Sequence, residues 1–217
     1  MIPVLIIGKS GAGKSASLRN MPVDGTIVVN VLGKPLPFRN KLKTVHVDNY
    51  ALIFRSVSKA EYDRYIIDDA GYLITNHFMA DHSKDASGNA VFALYNKLAD
   101  EFFSMIRAFQ NQPSNARVYI IMHEDKNDMG DVKPKTIGKL LDDKVCLEGM
   151  FTICLRAMVS HGKHIFRTQS DGFDTAKTPM GMFDSEEIDN DLYEVDKAIT
   201  EYYNIGGANN ETDTKLG

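Results

Sequence analysis

The sequence has few of the features that would place a protein in a membrane or in an oxidising compartment. Its two cysteines, Cys146 and Cys154, lack the spacing of metal ligands, which fits a reducing cytoplasm. The longest apolar runs reach about seven residues, well below the roughly 20 that a membrane-spanning helix needs, so no membrane partner is expected. Because the first predicted strand begins at residue 2, we expect no basic and apolar leader. With 43% hydrophobic residues in a chain of 217, we expect one compact cytoplasmic domain.

The net charge is small, but it is unevenly distributed. The formal value of −4 includes an acidic end, because residues 184–217 contain ten acidic residues and two lysines. Residues 1–183 contain 23 basic and 19 acidic residues. A mildly basic body is compatible with a polyanionic ligand, although acidic helices are usually just solvated. The charge pattern alone therefore does not demand a nucleic-acid partner.

A glycine-rich segment carries the strongest chemical signal. Residues 8–15 have the pattern G-x4-G-K-S, after the apolar run 2–7 and before residues 16–20, which can open a helix. The glycines let successive N–H groups surround a phosphate, Lys14 can reach the β- and γ-phosphates, and Ser15 can ligate Mg²⁺. We therefore predict a bound nucleoside triphosphate and assign Lys14 a catalytic role as well. The predicted binding residues are Gly8, Lys9, Ser10, Gly11, Ala12, Gly13, Lys14, Ser15 and Ala16.

Two acidic residues follow another predicted apolar strand. The run 65–67 ends in Asp68 and Asp69. Asp68 can hold Mg²⁺, directly or through water, and Asp69 can orient the attacking water. At least one predicted strand separates the phosphate loop from this pair, as in P-loop proteins that have an extra central strand and hydrolyse ATP. Because no Asn-Lys-x-Asp motif for guanine is present, ATP and Mg²⁺ are the predicted cofactors.

The remaining pattern predicts an α/β fold with a mostly parallel central sheet flanked by helices, a late β-hairpin and a C-terminal helix. The expected domain spans 1–205, and the polar residues 206–217 are expected to be disordered. Further strands are predicted at 26–32, 44–47, 118–122, 151–155 and 164–168. Helices are predicted at 51–62, 71–78, 91–110, 137–145 and 189–203, with polar loops at 33–38, 82–90 and 125–136.

Two groups of polar residues follow strand 118–122. His123 and Glu124 come at its tip, beside the edge that should carry Asp68. There His123 can sense the γ-phosphate, or it can be a satisfied structural histidine. The second group suits the phosphate backbone of a nucleic acid, or it is simply part of a solvated loop. It comprises Lys133, Lys135 and Lys139.

The sequence resembles the RecA-like ATP-binding proteins of tailed bacteriophages, described as single-strand annealing or recombinase ATPases. The most family-specific segments are Gly-Lys-Pro-Leu-Pro-Phe and Lys-Pro-Lys-Thr-Ile-Gly-Lys. The resemblance implies a RecA-like P-loop NTPase core, ATP at the interface of a homo-oligomer, and single-stranded DNA as partner. The matching stretches are 8–15, 30–38, 65–73, 122–125, 133–152 and 178–183.

The resemblance also implies that a basic residue completes a neighbouring subunit's site. Lys177 is the best positional match, and Arg167 is the second. This sequence shows no separate N-terminal polymerisation segment, and its second strand lacks the glutamate that RecA carries nearby. Asp69 is therefore the first candidate for the catalytic base and Glu124 the second.

These observations favour a DNA-stimulated, Mg²⁺-dependent ATPase that acts on single-stranded DNA in recombination or annealing. A single-strand-binding protein is a further expected partner, and a bacterial host cytoplasm is the expected location if a phage encodes the chain. Two alternatives stay open. The chain could be a P-loop motor or loader that acts on a protein, or a nucleotide-dependent interaction protein with negligible turnover.

Overall fold

A computed structural model describes residues 1–81, 88–127, 129–137 and 145–206. Strands and helices alternate along most of this chain. Short 3-10 helices span Ser15–Asn20 and Glu148–Met150. The longer helices are α1 (Tyr50–Ser58), α2 (Gly71–Asp81), α3 (Gly88–Asn111) and α4 (Leu192–Tyr202). The strands are β1 (Ile2–Gly8), β2 (Thr26–Asn30), β3 (Lys43–His46), β4 (Arg64–Asp68), β5 (Arg117–Lys126), β6 (Val132–Pro134), β7 (Ile153–Ser160), β8 (Lys163–Arg167) and β9 (Glu187–Asp189).

Within the described residues, the strands form one nine-stranded sheet in the order β3-β2-β4-β5-β1-β7-β8-β9, with β6 paired to β5. The six strands β3, β2, β4, β5, β1 and β7, in sheet order, are parallel to one another. Strands β6, β8 and β9 pair antiparallel with their neighbours. Strand β5 lies between β1 and β4, so an extra strand separates the phosphate loop from the acid pair. The predicted α/β fold, with its mostly parallel sheet, late hairpin and C-terminal helix, is confirmed.

Alternation along the central strands creates two apolar layers. In β1, Leu5 and Ile7 pack in one cluster, while Val4 and Ile6 pack in the other. Residues of α1, α2 and α3 belong to the first cluster, and residues of α4 and the first 3-10 helix belong to the second. Both faces of β1 are therefore covered, which explains why a parallel sheet is built from nearly continuous apolar runs.

Several predicted boundaries are wrong for identifiable reasons. The strand expected to stop at Met122 continues to Lys126, because β6 pairs with it and satisfies the backbone of this polar extension. Helix α3 begins at Gly88, inside the expected polar loop. Helical spacing places Phe92 on the predicted buried face of that helix, but Phe92 is 69% exposed. Strand β9 was not predicted. Most of the expected helix 137–145, namely residues 138–144, lies outside the described residues. Residues 207–217 of the expected tail also lie outside them.

A buried ionic cluster fixes α4 to the start of two central strands. The carboxylate of Asp196 is 1% exposed and accepts two hydrogen bonds from Arg117, at 2.8 and 3.1 Å. It also accepts bonds of 2.6 Å each from Arg64 and from the Tyr119 hydroxyl. Burial by itself raises the pKa of Asp196, but the bonds from Arg117, Tyr119 and Arg64 outweigh it and lower the pKa overall. The ionised carboxylate thus holds the C-terminal helix in place.

Replacing Asp196 with alanine should destabilise the fold by about 3–5 kcal/mol, because it leaves the buried Arg117 without its counter-charge. Urea unfolding would measure the loss. Glu194→Ala is the matched control on the same helix, since Glu194 pairs with Lys197 at the exposed surface and should cost below about 1 kcal/mol.

The loss should also depend on pH. A lowered carboxylate pKa stabilises the fold above the unfolded value of about 3.9, and this stabilisation disappears as the pH falls through the folded value. The difference between the parent chain and the Asp196→Ala variant should therefore shrink in acid. Equal unfolding free energies for Asp196→Ala and Glu194→Ala at pH 7 would contradict the role assigned to this cluster.

Candidate active site

The phosphate loop lies at the carboxyl edge of the sheet, directly after β1. A Cβ added to Gly8 would come within 2.5 Å of the Ala157 carbonyl oxygen, so β7 approaches the loop too closely for any side chain there. Gly13 has a φ of 95°, and a Cβ there would come within 3.0 Å of Asn190 and His164. Strand β8 and the segment after β9 therefore form one wall of the loop, a wall that sequence reasoning did not predict.

Lys14 is folded into the centre of this loop. Its side-chain ammonium donates hydrogen bonds of 2.8 Å to the carbonyl oxygens of Gly8 and Lys9, and it lies 3.5 Å from Nδ1 of His123. Burial lowers the pKa of Lys14, while the neighbouring carboxylates Asp69 and Asp68 oppose that shift. The structure thus holds a buried cation where the sequence predicted a phosphate contact.

Ser15 and Asp68 meet as the motif predicted. The Ser15 hydroxyl donates a hydrogen bond of 3.0 Å to Oδ1 of Asp68, which is 1% exposed. The other carboxylate oxygen, Oδ2, is buried and has no hydrogen-bond partner among the described residues. Burial and the adjacent charge of Asp69 raise the pKa of Asp68 to about 6. An unpartnered carboxylate oxygen beside a hydroxyl fits a Mg²⁺ ion, which prefers oxygen ligands and keeps several waters.

Asp69 has an unusual backbone and two polar neighbours. Its φ is 59°, in the left-handed region that few residues with a side chain adopt, and such strain clusters at functional sites. Lys34 forms an ion pair with its Oδ2, and Nε2 of His123 lies 3.7 Å from its Oδ1. The carboxylate is only 3% exposed. Asp69 therefore faces the same pocket as Lys14, between two groups that can donate to it.

His123 lies between the lysine and the acid. The ammonium of Lys14 can only donate, so Nδ1 of His123 accepts in that contact and the ring proton belongs on Nε2, toward Asp69. Burial and the charge of Lys14 lower the pKa of His123, which favours this neutral form. The ring also meets Tyr72 edge-to-face, with 6.1 Å between centroids. A neutral His123 therefore faces Lys14 with one ring nitrogen and Asp69 with the other.

Glu124 has a different environment from its neighbour. Its carboxylate accepts two hydrogen bonds from Arg156 on β7, at 2.9 and 3.1 Å, and Arg156 also contacts Asp174 at 3.2 Å. The Glu124 side chain is 3% exposed. Arg156 therefore occupies the carboxylate of Glu124, whereas Asp69 faces the same pocket as Lys14.

The two basic residues proposed to act on a neighbour lie away from this pocket. Lys177 exchanges two backbone hydrogen bonds of 2.8 Å with Cys154, which pairs with Leu5, three residues before Gly8. Arg167 forms ion pairs within its own chain. Its partners are Asp171, Glu187 at 3.4 Å and Asp174 at 3.9 Å. Neither residue is brought to the phosphate loop of its own chain.

The predicted DNA-binding lysines have three different settings. Lys133 lies on β6, opposite Asp125 of β5. Lys135 lines a cavity of about 470 Å³ together with Tyr72 and Ile137. Lys139 lies outside the described residues. This cavity adjoins a second one of about 330 Å³ over the phosphate loop, and the two share Ser10, Lys34 and His123.

The sheet order, the loop and the acid pair together define a P-loop ATPase. Residues 2–180 match a family model described as an AAA domain, and this chain belongs to that family. A search of curated proteins gives no match.

Across the described ranges, no helix is both long and apolar enough to cross a membrane. In the same ranges, no cluster of three or more histidine, cysteine or acidic residues could hold a metal by itself.

Proposed function

We propose that this chain hydrolyses ATP with Mg²⁺ and is stimulated by single-stranded DNA, as a phage RecA-like protein of recombination or annealing in the host cytoplasm. The observation that carries the ATPase half is the buried, unpartnered Oδ2 of Asp68 beside the Ser15 hydroxyl, at the end of the loop that holds Lys14. A protein interior seldom retains such an oxygen without a ligand or a water to satisfy it. A nucleotide-bound Mg²⁺ would satisfy this oxygen.

The residues divide the binding task between them. The loop N–H groups and Lys14 bind the phosphates, with the lysine exchanging its carbonyl partners for phosphate oxygens. Ser15 and Asp68 would hold Mg²⁺, which neutralises phosphate charge when it is bound. Asp69 accepts the proton of the attacking water, and His123, whose Nε2 lies 3.7 Å from Oδ1 of Asp69, senses the γ-phosphate.

The DNA half of the proposal rests on the family resemblance and on Lys135, which lines the cavity that adjoins the phosphate loop. If Lys133, Lys135 and Lys139 contact phosphates, the logarithm of affinity should fall with the logarithm of salt by about 0.7 per contact. Replacing all three with alanine should therefore lower the salt slope by about two units and weaken binding to every sequence alike. Fluorescence anisotropy with labelled single strands would measure the slope.

A matched variant controls for net charge. Lys59, Lys97 and Lys197 pair with surface glutamates, and their replacement removes the same formal charge. This control should leave the slope unchanged. Equal slopes for the first triple variant and the parent would move the DNA site away from these lysines. DNA binding that requires an added single-strand-binding protein would favour a protein-directed loader instead.

We further propose that the active form is a homo-oligomer in which Lys177 acts on the neighbouring site, with Arg167 as the second choice. A Lys177→Ala subunit keeps its own phosphate loop, whereas a Lys14→Ala subunit keeps its Lys177. Mixing the two inactive proteins should restore part of the ATPase activity, because some interfaces then combine both intact parts. The absence of recovery in oligomers shown to exchange subunits would contradict the assignment.

A further inference from the structure

The pocket contains Lys34, a lysine of the Gly-Lys-Pro-Leu-Pro-Phe segment that has no role in the phosphate-loop motif. Lys34 follows β2, and its ammonium pairs with Oδ2 of Asp69 while its side chain stays 49% exposed. It lines both the cavity over the phosphate loop and the adjoining one. Burial opposes the charge on Lys34, but the hydrogen bond and charge of Asp69 raise its pKa overall. The pocket thus contains a second cation besides Lys14.

The backbone around Lys34 is tied to the acid pair. The Asn30 side-chain amide donates a 2.5 Å hydrogen bond to the Lys34 carbonyl, and the Val31 N–H donates to the Asp68 carbonyl at 3.3 Å. Gly33 makes the turn with a φ of 67°, and a Cβ there would come within 3.2 Å of the His46 ring. This turn fixes where the lysine stem begins, while the half-exposed stem leaves the ammonium free to change partners.

We infer that Lys34 recognises the terminal phosphate of a nucleoside triphosphate and exchanges its ion pair with Asp69 for that phosphate. The inference deepens the proposed ATPase function and rests on it. In the described structure, the Lys34 ammonium pairs with Oδ2 of Asp69, and Lys34 lines both cavities. The terminal phosphate of a bound triphosphate would compete with that carboxylate for the ammonium. A diphosphate, which lacks this group, would leave the ion pair in place.

The inference predicts a difference between two ligands. A diphosphate lacks the terminal group, so Lys34 should contribute little to its binding. We expect Lys34→Ala to raise the dissociation constant of a slowly hydrolysed β,γ-imido analogue of ATP by about tenfold, the usual size of one hydrogen bond to a charged group, and that of ADP by less than about twofold. Isothermal titration calorimetry on the full chain with Mg²⁺ measures both. Lys34→Arg should retain most of the affinity for the analogue.

The exposed Lys41 provides a matched control, because it lies in the same connection between β2 and β3. Lys41→Ala should change neither dissociation constant. Lys34→Gln, which keeps most of the side-chain volume, should reproduce Lys34→Ala if charge is responsible. Thermal unfolding of each variant establishes that the fold is intact before titration.

A double variant separates a direct phosphate contact from an effect through Asp69. In the Asp69→Asn background, removal of Lys34 should still weaken binding of the analogue by about tenfold if the ammonium itself contacts the phosphate. No loss in that background, or an equal loss for analogue and ADP in the single variant, would overturn the inference. If the parent chain bound neither nucleotide, the proposed function would fail first, so the two failures can be told apart.

Discussion

Asp68→Asn is expected to retain ATP binding and to lose about a hundredfold to a thousandfold in turnover, the usual cost of removing one preorganised electrostatic group. The amide has almost the shape of the carboxylate, so the Ser15 contact and the fold should persist. What disappears is the negative charge on the unpartnered buried oxygen that the proposed Mg²⁺ site requires. Steady-state phosphate release and nucleotide titration with the same protein measure the two effects.

Lys14→Ala provides the contrast, since it should weaken nucleotide binding itself. The variant removes the cation that now donates to the Gly8 and Lys9 carbonyls, and a hydrogen bond to a charged group is worth about 1.5–3 kcal/mol. The nucleotide dissociation constant should rise at least tenfold. Turnover by Asp68→Asn at the parental rate would show that Asp68 is not the metal ligand.

Asp69→Asn should give a protein that binds ATP with Mg²⁺ and then stalls. General-base catalysis typically contributes about 10²–10⁴-fold in rate, and the amide cannot accept the proton of water. Asparagine tolerates the left-handed backbone that Asp69 adopts, so the substitution tests the chemistry rather than the turn. A single-turnover experiment with bound ATP would show slow cleavage despite full occupancy.

Glu124→Gln is the matched test of the alternative base. The substitution breaks the bidentate contact with Arg156, so it should chiefly lower the stability of the β5–β7 region, with ATP cleavage per folded molecule largely retained. If Glu124→Gln stalls while Asp69→Asn turns over normally, the two roles must be exchanged. Unfolding measurements on both variants separate a loss of fold from a loss of chemistry.

The parts of the site that sequence could predict are those written in short, local patterns. The phosphate loop, the acid pair and the strand between them follow from glycine spacing, from apolar runs and from parallel strands that end at one edge. The Ser15–Asp68 contact was predictable for the same reason, although 53 residues separate the two. Each residue comes at a fixed offset from a strand end, so the sheet brings both together.

The parts that sequence could not predict depend on pairing between distant, individually ordinary residues. Nothing in the pattern links Arg156 to Glu124 or Lys34 to Asp69, because lysines and arginines are common. Only strand register, and for Lys34 the turn after β2, decides which acid each one meets. The position of Lys34 directly after a buried strand, beside two prolines, is a signal that could have placed it in the pocket.

Phe92 shows a different limit of helical spacing. The 3.6-residue period placed it on the core stripe of α3, yet Leu94 is buried nearby and Phe92 is exposed. Periodicity gives the face of a helix but not how far its partner surface extends. The first turns of α3 therefore could not be distinguished from its buried middle by sequence alone.

Phosphate release from ATP by the unaltered chain, measured with and without Mg²⁺ and with and without single-stranded DNA, tests the central claim most directly. The expected result is release that requires Mg²⁺, rises when single-stranded DNA is added, and falls to background in Lys14→Ala. Release indistinguishable from that of Lys14→Ala under every condition would contradict ATP hydrolysis at this site. A rate of phosphate release that does not change when single-stranded DNA is added would support ATP hydrolysis and contradict the proposed action on DNA.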